Sequence, residues 1–313
     1  MNMTNKVLNT DSTIAVDSRK EIITDWFKGL QDRICNSLEE TDGQAKFIQD
    51  NWERPGGGGG CSRIIKDGNI LAKGGVGFSA VGGPTPEKIL KALKLENGEF
   101  FATGVSIVMH PVNPMVPIIH MNVRYFEMST GLWWFGGGID LTPHYVDDAD
   151  AKFFHQNLKD TCDKHSADYY PKFKEWADNY FYIKHRDETR GIGGIFFDRL
   201  SDNDGFSFEE RFSFVQDIGN LFPVIYTHFM NKNKSIEYGD KEKHWQNLRR
   251  SRYVEFNLVY DAGTKFGLDT EGRTESILMS MPPVATWEYN YQPQVNSQEE
   301  YTLKMLKKGI NWA

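Results

Sequence analysis

Residues 118–127, Ile-Ile-His-Met-Asn-Val-Arg-Tyr-Phe-Glu, decide the fold of this chain. Apolar and polar side chains alternate along the stretch, and this pattern predicts a β-strand with one face in a core. His120, Asn122 and Arg124 share the polar face. The other face is apolar and carries Ile119, Met121, Val123 and Tyr125. Exposed strand faces usually carry Thr, Lys or Glu, so two interpretations stay open for the polar face: a solvated surface or the floor of a ligand site.

Two further strands flank this one. In residues 105–110, Ser106 and His110 share a face, and a hairpin with 118–127 would add them to the polar surface. Residues 132–141 form a third strand, in which the aromatic run LWWF precedes GGGID at 136–140. Residues 62–141 are therefore predicted to be mostly strand, and the short connections favour antiparallel pairing.

Helices are predicted on both sides of this strand-rich region. Three Ser-x-x-Glu capping boxes, which mark helix starts, stand at Ser18, Ser207 and Ser297. Helical spacing of apolar residues also predicts a helix that starts at Asp147 or Asp148 and another over about 168–185.

The remaining boundaries complete the predicted fold. Pro223 should kink or end the helix that starts at Ser207, and the last helix should end at Gly309. Residues 253–260 and 274–281 are predicted as strands. We expect residues 1–16 to form a flexible N-terminal tail and 17–313 to form a single α+β catalytic domain, a large antiparallel β-sheet sandwiched by helices.

The glycine run at 56–60 resembles a phosphate-binding loop only superficially. That motif needs Gly-Lys-Ser/Thr at the start of a helix, whereas Gly60 is followed by Cys61-Ser62-Arg63 and then by a strand-like Ile-Ile pair. A mobile loop, able to close over a ligand, is the interpretation that we favour.

Charge and cysteine usage narrow the class of function. A chain of 313 residues with net charge −7 is a poor partner for nucleic acid, and an anionic substrate must be held by local Arg residues. The three cysteines are far apart and form no CxxC pair, which excludes a Cys-ligated iron–sulfur cluster or zinc ribbon within the chain. Their odd number favours a reducing compartment. No 18-residue apolar run, signal peptide or transit peptide is visible, so we expect a cytoplasmic protein without a membrane span.

Several charged residues are candidates for chemistry. Arg124 and Arg273 could each hold a carboxylate through two hydrogen bonds. Asp140 follows three glycines beside an aromatic run, and in such a low-dielectric place it needs N–H donors to stay charged; it could equally cap a turn. The cluster Arg249, Arg250 and Arg252 is interpreted either as a solvated helix end at the start of a strand, as a carboxylate site, or as part of a subunit contact.

Four histidines are candidates for metal ligation or proton transfer. Their spacing matches no compact metal motif such as HExxH. A general acid or a hydrogen-bond donor to a carboxylate are the alternative roles. The four are His110, His120, His155 and His185.

Four long segments together resemble the oxygen-dependent coproporphyrinogen III oxidase family. They are 104–127 (GVSIVMHPVNPMVPIIHMNVRYFE), 133–144 (WWFGGGIDLTPH), 180–198 (YFYIKHRDETRGIGGIFFD) and 252–291. The resemblance covers nearly all of 17–312. It implies a flat antiparallel sheet between helices and a homodimer with 253–288 in the interface. It also implies oxidative decarboxylation of the ring A and B propionates to vinyls, which gives protoporphyrinogen IX in haem biosynthesis. O2 is then the co-substrate, and no organic cofactor is expected.

The resemblance also implies roles for single residues. His120 matches the proposed proton donor, and Asp140 and Arg124 match residues proposed to hold the pyrrole nitrogens and a propionate. The four histidines match positions assigned to a divalent metal in some bacterial members. Substrate contacts are implied for Ser106, Asn122, Val123, Arg124, Gly272 and Arg273.

Two departures from the family pattern stand near these positions. Glu271 occupies a place that is often Gly and brings a negative charge close to a propionate site. Cys61 replaces a residue that is often Arg after the glycine run.

Alternative functions remain open on the sequence. A porphyrin carrier would need the Arg residues and aromatic walls but no acid, and a metal-dependent version would use the four histidines. The radical route to the same product is disfavoured because it needs clustered cysteines.

Overall fold

Seven antiparallel strands form the central sheet, in the order β1-β2-β3-β4-β5-β6-β9. The computed structural model describes residues 11–313 except 88–89, 92–93, 95 and 270–271, and for 11–18 it describes the backbone alone. A hairpin of two short strands, β7 and β8, stands apart from this sheet. The sheet strands are β1 (Ile48–Glu53), β2 (Gly58–Lys66), β3 (Leu71–Pro84), β4 (Glu99–Pro111), β5 (Ile118–Met128), β6 (Trp133–Thr142) and β9 (Gly194–Leu200). The separate pair is β7 (Tyr182–Ile183) and β8 (Glu188–Thr189).

Helices cover both faces of the sheet, and the expected antiparallel α+β architecture is confirmed. Among the residues that the structure describes, no helix is long and apolar enough to span a membrane. The helices are α1 (Asp11–Asp42), α2 (Asp148–Asp163), α3 (Tyr169–Tyr180), α4 (Phe208–Asn233), α5 (Asp240–Val259), α6 (Ala262–Asp269), α7 (Thr274–Leu278) and α8 (Gln298–Met305).

The apolar face of β5 lies in the main core, as the alternation predicts. Met121 and Val123 are fully buried, and they pack in one cluster with Phe27 of α1 and Phe222 of α4. Because side chains alternate between the two faces of a strand, His120, Asn122 and Arg124 are left on the opposite face of the sheet.

Two predicted helix boundaries are wrong. Helix α1 begins at Asp11, so the backbone of 11–16 is helical and Ser18 stands inside the helix instead of capping it. No Pro interrupts 11–42, so nothing in the sequence stops the helix from extending past the capping box. Residues 1–10 of the predicted tail lie outside the described residues. The last helix ends at Met305, one turn before Gly309.

The glycine run forms a tight hairpin rather than a mobile loop. Gly58–Gly60 begin β2 and pair with β3, while Gly59 and Gly60 also pair with Glu53 and Trp52 of β1. Gly57 and Gly58 have φ of 112° and 79°, a conformation that residues with a Cβ rarely adopt. The glycines therefore make the turn possible, and most of the run is part of the sheet.

Both strands predicted late in the chain are helices. Residues 253–259 end α5, and 274–278 form α7. In α5, the buried Trp245, Arg249, Tyr253 and Phe256 recur at intervals of three or four, which is helical periodicity. Helix α4 continues through Pro223 to Asn233. One lost hydrogen bond does not end it because the flanking Phe222 and Ile225 are fully buried.

Asp42, at the end of α1, fixes the helix to the turn between β2 and β3. Its buried carboxylate accepts backbone N–H groups from Ala45, Asn69, Ile70 and Leu71 at 2.8–3.1 Å. Burial alone would raise the pKa of this carboxyl, but the four N–H donors outweigh burial and lower it.

We expect Asp42→Ala to lower the free energy of unfolding by about 2–4 kcal/mol, because it leaves buried N–H donors without an acceptor. Urea unfolding at pH 7 measures the loss, with the exposed Asp25→Ala on the same helix as control. A carboxyl whose pKa is lowered by folding stabilises the folded state fully only above its unfolded pKa of about 3.9. The difference in unfolding free energy between the wild type and Asp42→Ala should therefore shrink as the pH falls below about 4. Equal stability of the two variants would contradict this role.

Candidate functional site

The polar face of β5 lies in the middle of a shallow floor that several strands build together. Ser106 on β4 pairs with Asn122, and Asn122 pairs with Gly138 on β6. One step along the strands, His120 pairs with Asp140. Directly paired residues share a face, so the hairpin brings Ser106 onto the surface of His120, Asn122 and Arg124, as predicted.

Glycine occupies several of the other positions on this surface. We call the surface the floor, and its glycines, by register, are Gly60, Gly75, Gly77, Gly104, Gly136, Gly138 and Gly194. At Gly136 a Cβ would lie 2.4 Å from the Asp198 carboxylate and 3.1 Å from Arg124 Nε. The missing side chains let Arg124 and Asp198 meet across β6, and they allow a flat ligand to approach the backbone.

A buried charged group stands at one end of the floor. Asp140 is 2% exposed, and its carboxylate accepts hydrogen bonds from His120 Nδ1 at 2.8 Å and from Arg190 Nη2 at 2.7 Å. Arg190 Nε adds a third donor at 3.2 Å. Burial alone would raise the pKa of Asp140, but the Arg190 guanidinium and His120 outweigh burial and lower it. Asp140 is therefore an anion, and His120 carries its proton on Nδ1.

Aromatic rings enclose the Arg190 guanidinium. Its central carbon lies 4.4 Å from the ring centre of Phe181 and 4.7 Å from those of Tyr253 and Phe256. Asn257 Oδ1 accepts from Nη1 at 3.2 Å. Cation–π contacts and the ion pair with Asp140 together hold this charge away from water.

Two partly exposed arginines stand at the rim of the floor. Arg124 Nη2 is 3.4 Å from Asp198 Oδ1. Arg273, at the start of α7, contacts Asp50 and lies 3.5 Å from Ser62 Oγ. Each guanidinium is partnered by an acid, the half-buried Asp198 or the exposed Asp50, that a ligand carboxylate could replace.

The four histidines do not form one metal site. His155 is fully buried in α2, where its nitrogens bond to Tyr170 Oη and the Ile192 carbonyl. His110 Nε2 donates to the Ser280 carbonyl, and His185 bonds to Tyr260 and Glu255 on the surface. Within the part of the chain that the structure describes, no three His, Cys, Asp or Glu side chains form a group that could hold a metal ion. The shared site implied by the resemblance does not fit these contacts.

The other predicted residues fall into different surroundings. The Val123 side chain lies in the core, so only its backbone borders the floor. Arg249 and Arg250 are buried inside α5, not at a strand start or a solvated end. Gly272 is exposed beside Arg273, and Glu271 lies outside the described residues.

The sequence analysis missed Arg190 and its aromatic neighbours. Arg190 lies in the loop between β8 and β9, Phe181 stands directly after α3, and Tyr253 comes from α5, far along the chain. Only its neighbouring glycines, Arg190-Gly-Ile-Gly-Gly, signalled a close backbone approach. A Cβ at Gly191 would lie 2.1 Å from the Leu141 carbonyl oxygen.

Comparison with known proteins identifies relatives over nearly the whole chain. Residues 22–312 match the family described as coproporphyrinogen III oxidase. The chain is 50% identical to the oxygen-dependent coproporphyrinogen-III oxidase of Drosophila melanogaster, over 90% of this chain and 75% of the relative. It is 49% identical to the protein of that name from Francisella tularensis, over 90% and 95%. Identity to coproporphyrinogen-III oxidase 1, chloroplastic, of Arabidopsis thaliana is 45%, over 97% and 81%.

Removing Arg190 should leave Asp140 as an uncompensated buried charge. We expect Arg190→Met to destabilise the protein by about 3–5 kcal/mol at pH 7, and Arg190→Met/Asp140→Asn to regain much of that loss. Urea unfolding of both variants measures this. Arg186→Met, which breaks a more exposed pair with Glu255, should cost less than about 1 kcal/mol. A double variant no more stable than Arg190→Met would contradict the ion-pair assignment.

Proposed function

The chain belongs to the oxygen-dependent coproporphyrinogen III oxidase family, and we propose that the floor binds coproporphyrinogen III while His120 serves as the acid. The chain is thus an oxidoreductase of haem biosynthesis that oxidatively decarboxylates its substrate with O2. The ring A and B propionates are the groups that we propose to be converted to vinyls.

The floor suits a broad ring with acidic arms. Its glycines and the small Ser106 add little side-chain bulk above the strands outside the part that Met279 fills, and Asn122 offers both a donor and an acceptor. Arg124 and Arg273 stand apart on β5 and at the start of α7, so each can bind a different carboxylate. Burying an apolar ring between these groups stabilises the complex, whereas the arginines fix its orientation.

The overall reaction takes up protons. Each propionate loses CO2, one proton and two electrons when it becomes a vinyl. Two such steps reduce one O2 to two waters, which consumes four protons while the substrate releases two. A site for this chemistry therefore needs a group that delivers protons to reduced oxygen, and an imidazole does this at neutral pH.

His120 is the residue that we assign to proton delivery. Asp140 accepts from Nδ1, so Nε2 is the atom left for the reaction. Nε2 makes no hydrogen bond with any residue that the structure describes. The sequence analysis had Asp140 holding the pyrrole N–H groups. Because its oxygens are buried and already accept from His120 and Arg190, we propose that Asp140 orients His120 instead.

The His120–Asp140–Arg190 group is the single observation that carries this assignment. A porphyrin carrier needs a floor and rim arginines but has no use for an oriented imidazole. No step is assigned to a metal, because the four histidines do not come together.

Assembly and location complete the proposal. We propose a homodimer that uses 253–288, where Leu258, Val259, Val284 and Trp287 are exposed apolar side chains. We also propose a cytoplasmic location, which suits three unpaired cysteines. The Arabidopsis relative is chloroplastic by name, so membership of the family does not by itself fix the location.

Replacing the acid should impair turnover while the fold persists. We expect His120→Gln to lower kcat/KM by about 10²–10⁴, since general acid catalysis contributes that much. The measurement is CO2 release from coproporphyrinogen III in air, with a parallel anaerobic assay that should give no CO2.

The matched control is His165→Gln. His165 forms a similar pair with Asp217, with 2.9 Å between Nε2 and the carboxylate, but this pair lies away from the floor. The variant should keep near wild-type turnover. An unchanged kcat/KM in His120→Gln would show that His120 is not the acid. Substrate binding without CO2 release by the wild type would instead favour a carrier.

A further inference from the structure

A short segment lies across one end of the floor. We call residues 272–281 the strap; it contains Arg273, helix α7 and the three residues that follow. The strap crosses the floor over β1 to β4. It connects to the floor at both ends and through one side chain in the middle.

Polar contacts hold the first part of the strap. Ser276 Oγ lies 3.1 Å from Ser62 Oγ on β2. Arg273 contacts Asp50 on β1 and lies 3.3 Å from Ser276 Oγ. Apart from the buried Ser62, these contacts join exposed or half-buried polar groups, so they do not by themselves fix the strap.

His110 on β4 holds the other end. Its ring is fully buried, and Nε2 donates to the Ser280 carbonyl at 2.8 Å. Burial lowers the pKa of His110 to about 3, so the ring is neutral with its proton on Nε2. Nδ1 is buried and has no hydrogen-bond partner among the described residues. A neutral buried histidine that donates to one carbonyl acts as a clasp and not as a base.

Lys73 on β3 supplies a second clasp beside the first, because it pairs with His110 in the sheet. Its Nζ donates to the Met281 carbonyl at 2.8 Å. Within the described residues no acid lies within ion-pair distance of this half-buried ammonium. Burial lowers the pKa of Lys73, and the Glu275 carboxylate on α7 opposes this shift. The ammonium is therefore attracted to the strap by a charge as well as by the Met281 carbonyl.

Glycines make room for the middle of the strap. A Cβ at Gly75 would lie 2.7 Å from Met279 Sδ, and one at Gly77 would lie 3.1 Å from Met279 Cε. Met279 is buried although its neighbours Leu278 and Ser280 are only half-buried. The thioether thus fills the part of the floor that no β3 side chain occupies.

We propose that His110 and Lys73 are positioning residues, which clasp the strap so that Arg273 is held where it can bind a carboxylate of the substrate. The proposal rests on the proposed function for the identity of the substrate. The clasp acts through the backbone at Ser280 and Met281, and helix α7 transmits the position to Arg273. His110 thereby has a role that needs no metal ion.

The clasp is tested first without substrate. Lys73→Met keeps the length of the side chain but removes its donor, and His110→Leu removes the imidazole donor. In both variants amide hydrogen exchange should accelerate in peptides from 272–281 and stay unchanged in α4, because the opening is local. His165→Gln is the control and should leave strap exchange unchanged. Unaltered exchange in the two variants would overturn the proposal, whatever the substrate is.

Kinetics then test the link to Arg273. Lys73→Met and Arg273→Met should each raise the KM for coproporphyrinogen III about tenfold and change kcat little, the signature of lost binding. The double variant Lys73→Met/Arg273→Met should resemble Arg273→Met, since the lysine acts through the arginine. KM effects that multiply in the double variant, or a loss confined to kcat, would contradict the positioning role.

A third comparison separates the clasp from a metal-binding role of His110. His110→Leu should raise the KM for coproporphyrinogen III, because it removes the donor. His110→Gln keeps an N–H donor and should reverse part of that increase. Chelation or added Mn²⁺ should leave the ratio of the two KM values unchanged. A ratio that depends on metal would overturn the clasp. Failure of the proposed function would appear differently, as wild-type protein that releases no CO2 while strap exchange still responds to the variants.

Discussion

The ion pair between Asp140 and Arg190 sets the conditions for the rest of the site. A carboxyl buried among aromatic rings takes up a proton unless a positive charge lies beside it. Because the caged Arg190 guanidinium keeps Asp140 charged, Asp140 can accept from His120 Nδ1 and fix the orientation of the ring. The pair also joins β6 to the β8–β9 loop. The aromatic rings around Arg190 connect this loop to Phe181, just after α3, and to Tyr253 on α5. Catalytic geometry and tertiary packing therefore depend on the same charges.

Local patterns were sufficient to predict much of the fold. The alternation in 118–127 predicted β5, its buried face and its polar face, and the short connections predicted the antiparallel order. Strand prediction failed where residue type and the spacing of buried positions indicate different structures. Residues 253–260 read as a strand because Tyr, Val and Phe favour strands, yet their buried positions follow the turns of α5. Pro223 does not end its helix, because packing of its neighbours outweighs one missing hydrogen bond; the expected kink stays a prediction.

The candidate site was predictable only where it is built from one hairpin. Ser106, His120, Asn122 and Arg124 lie on adjacent strands, so their shared face follows from strand periodicity. Arg190 comes from a loop, and Tyr253 and Met279 come from segments that cross the sheet. No periodicity within a strand or helix encodes such meetings. The grouping of His110, His120, His155 and His185 was inferred from a resemblance, and their separate contacts could be read only from the folded chain.

The acids beside the rim arginines affect how the site responds to its surroundings. Arg124 and Arg273 are neutralised by Asp198 and Asp50 before any substrate arrives. In the proposed complex an arriving carboxylate exchanges with a resident one, so the number of opposite-charge contacts stays nearly constant. Dissolved ions screen the resident pair and the incoming pair alike. Substrate affinity should consequently vary less with ionic strength than it would at a site whose guanidinium groups have no resident partners. The floor without substrate should also bind other anions only weakly.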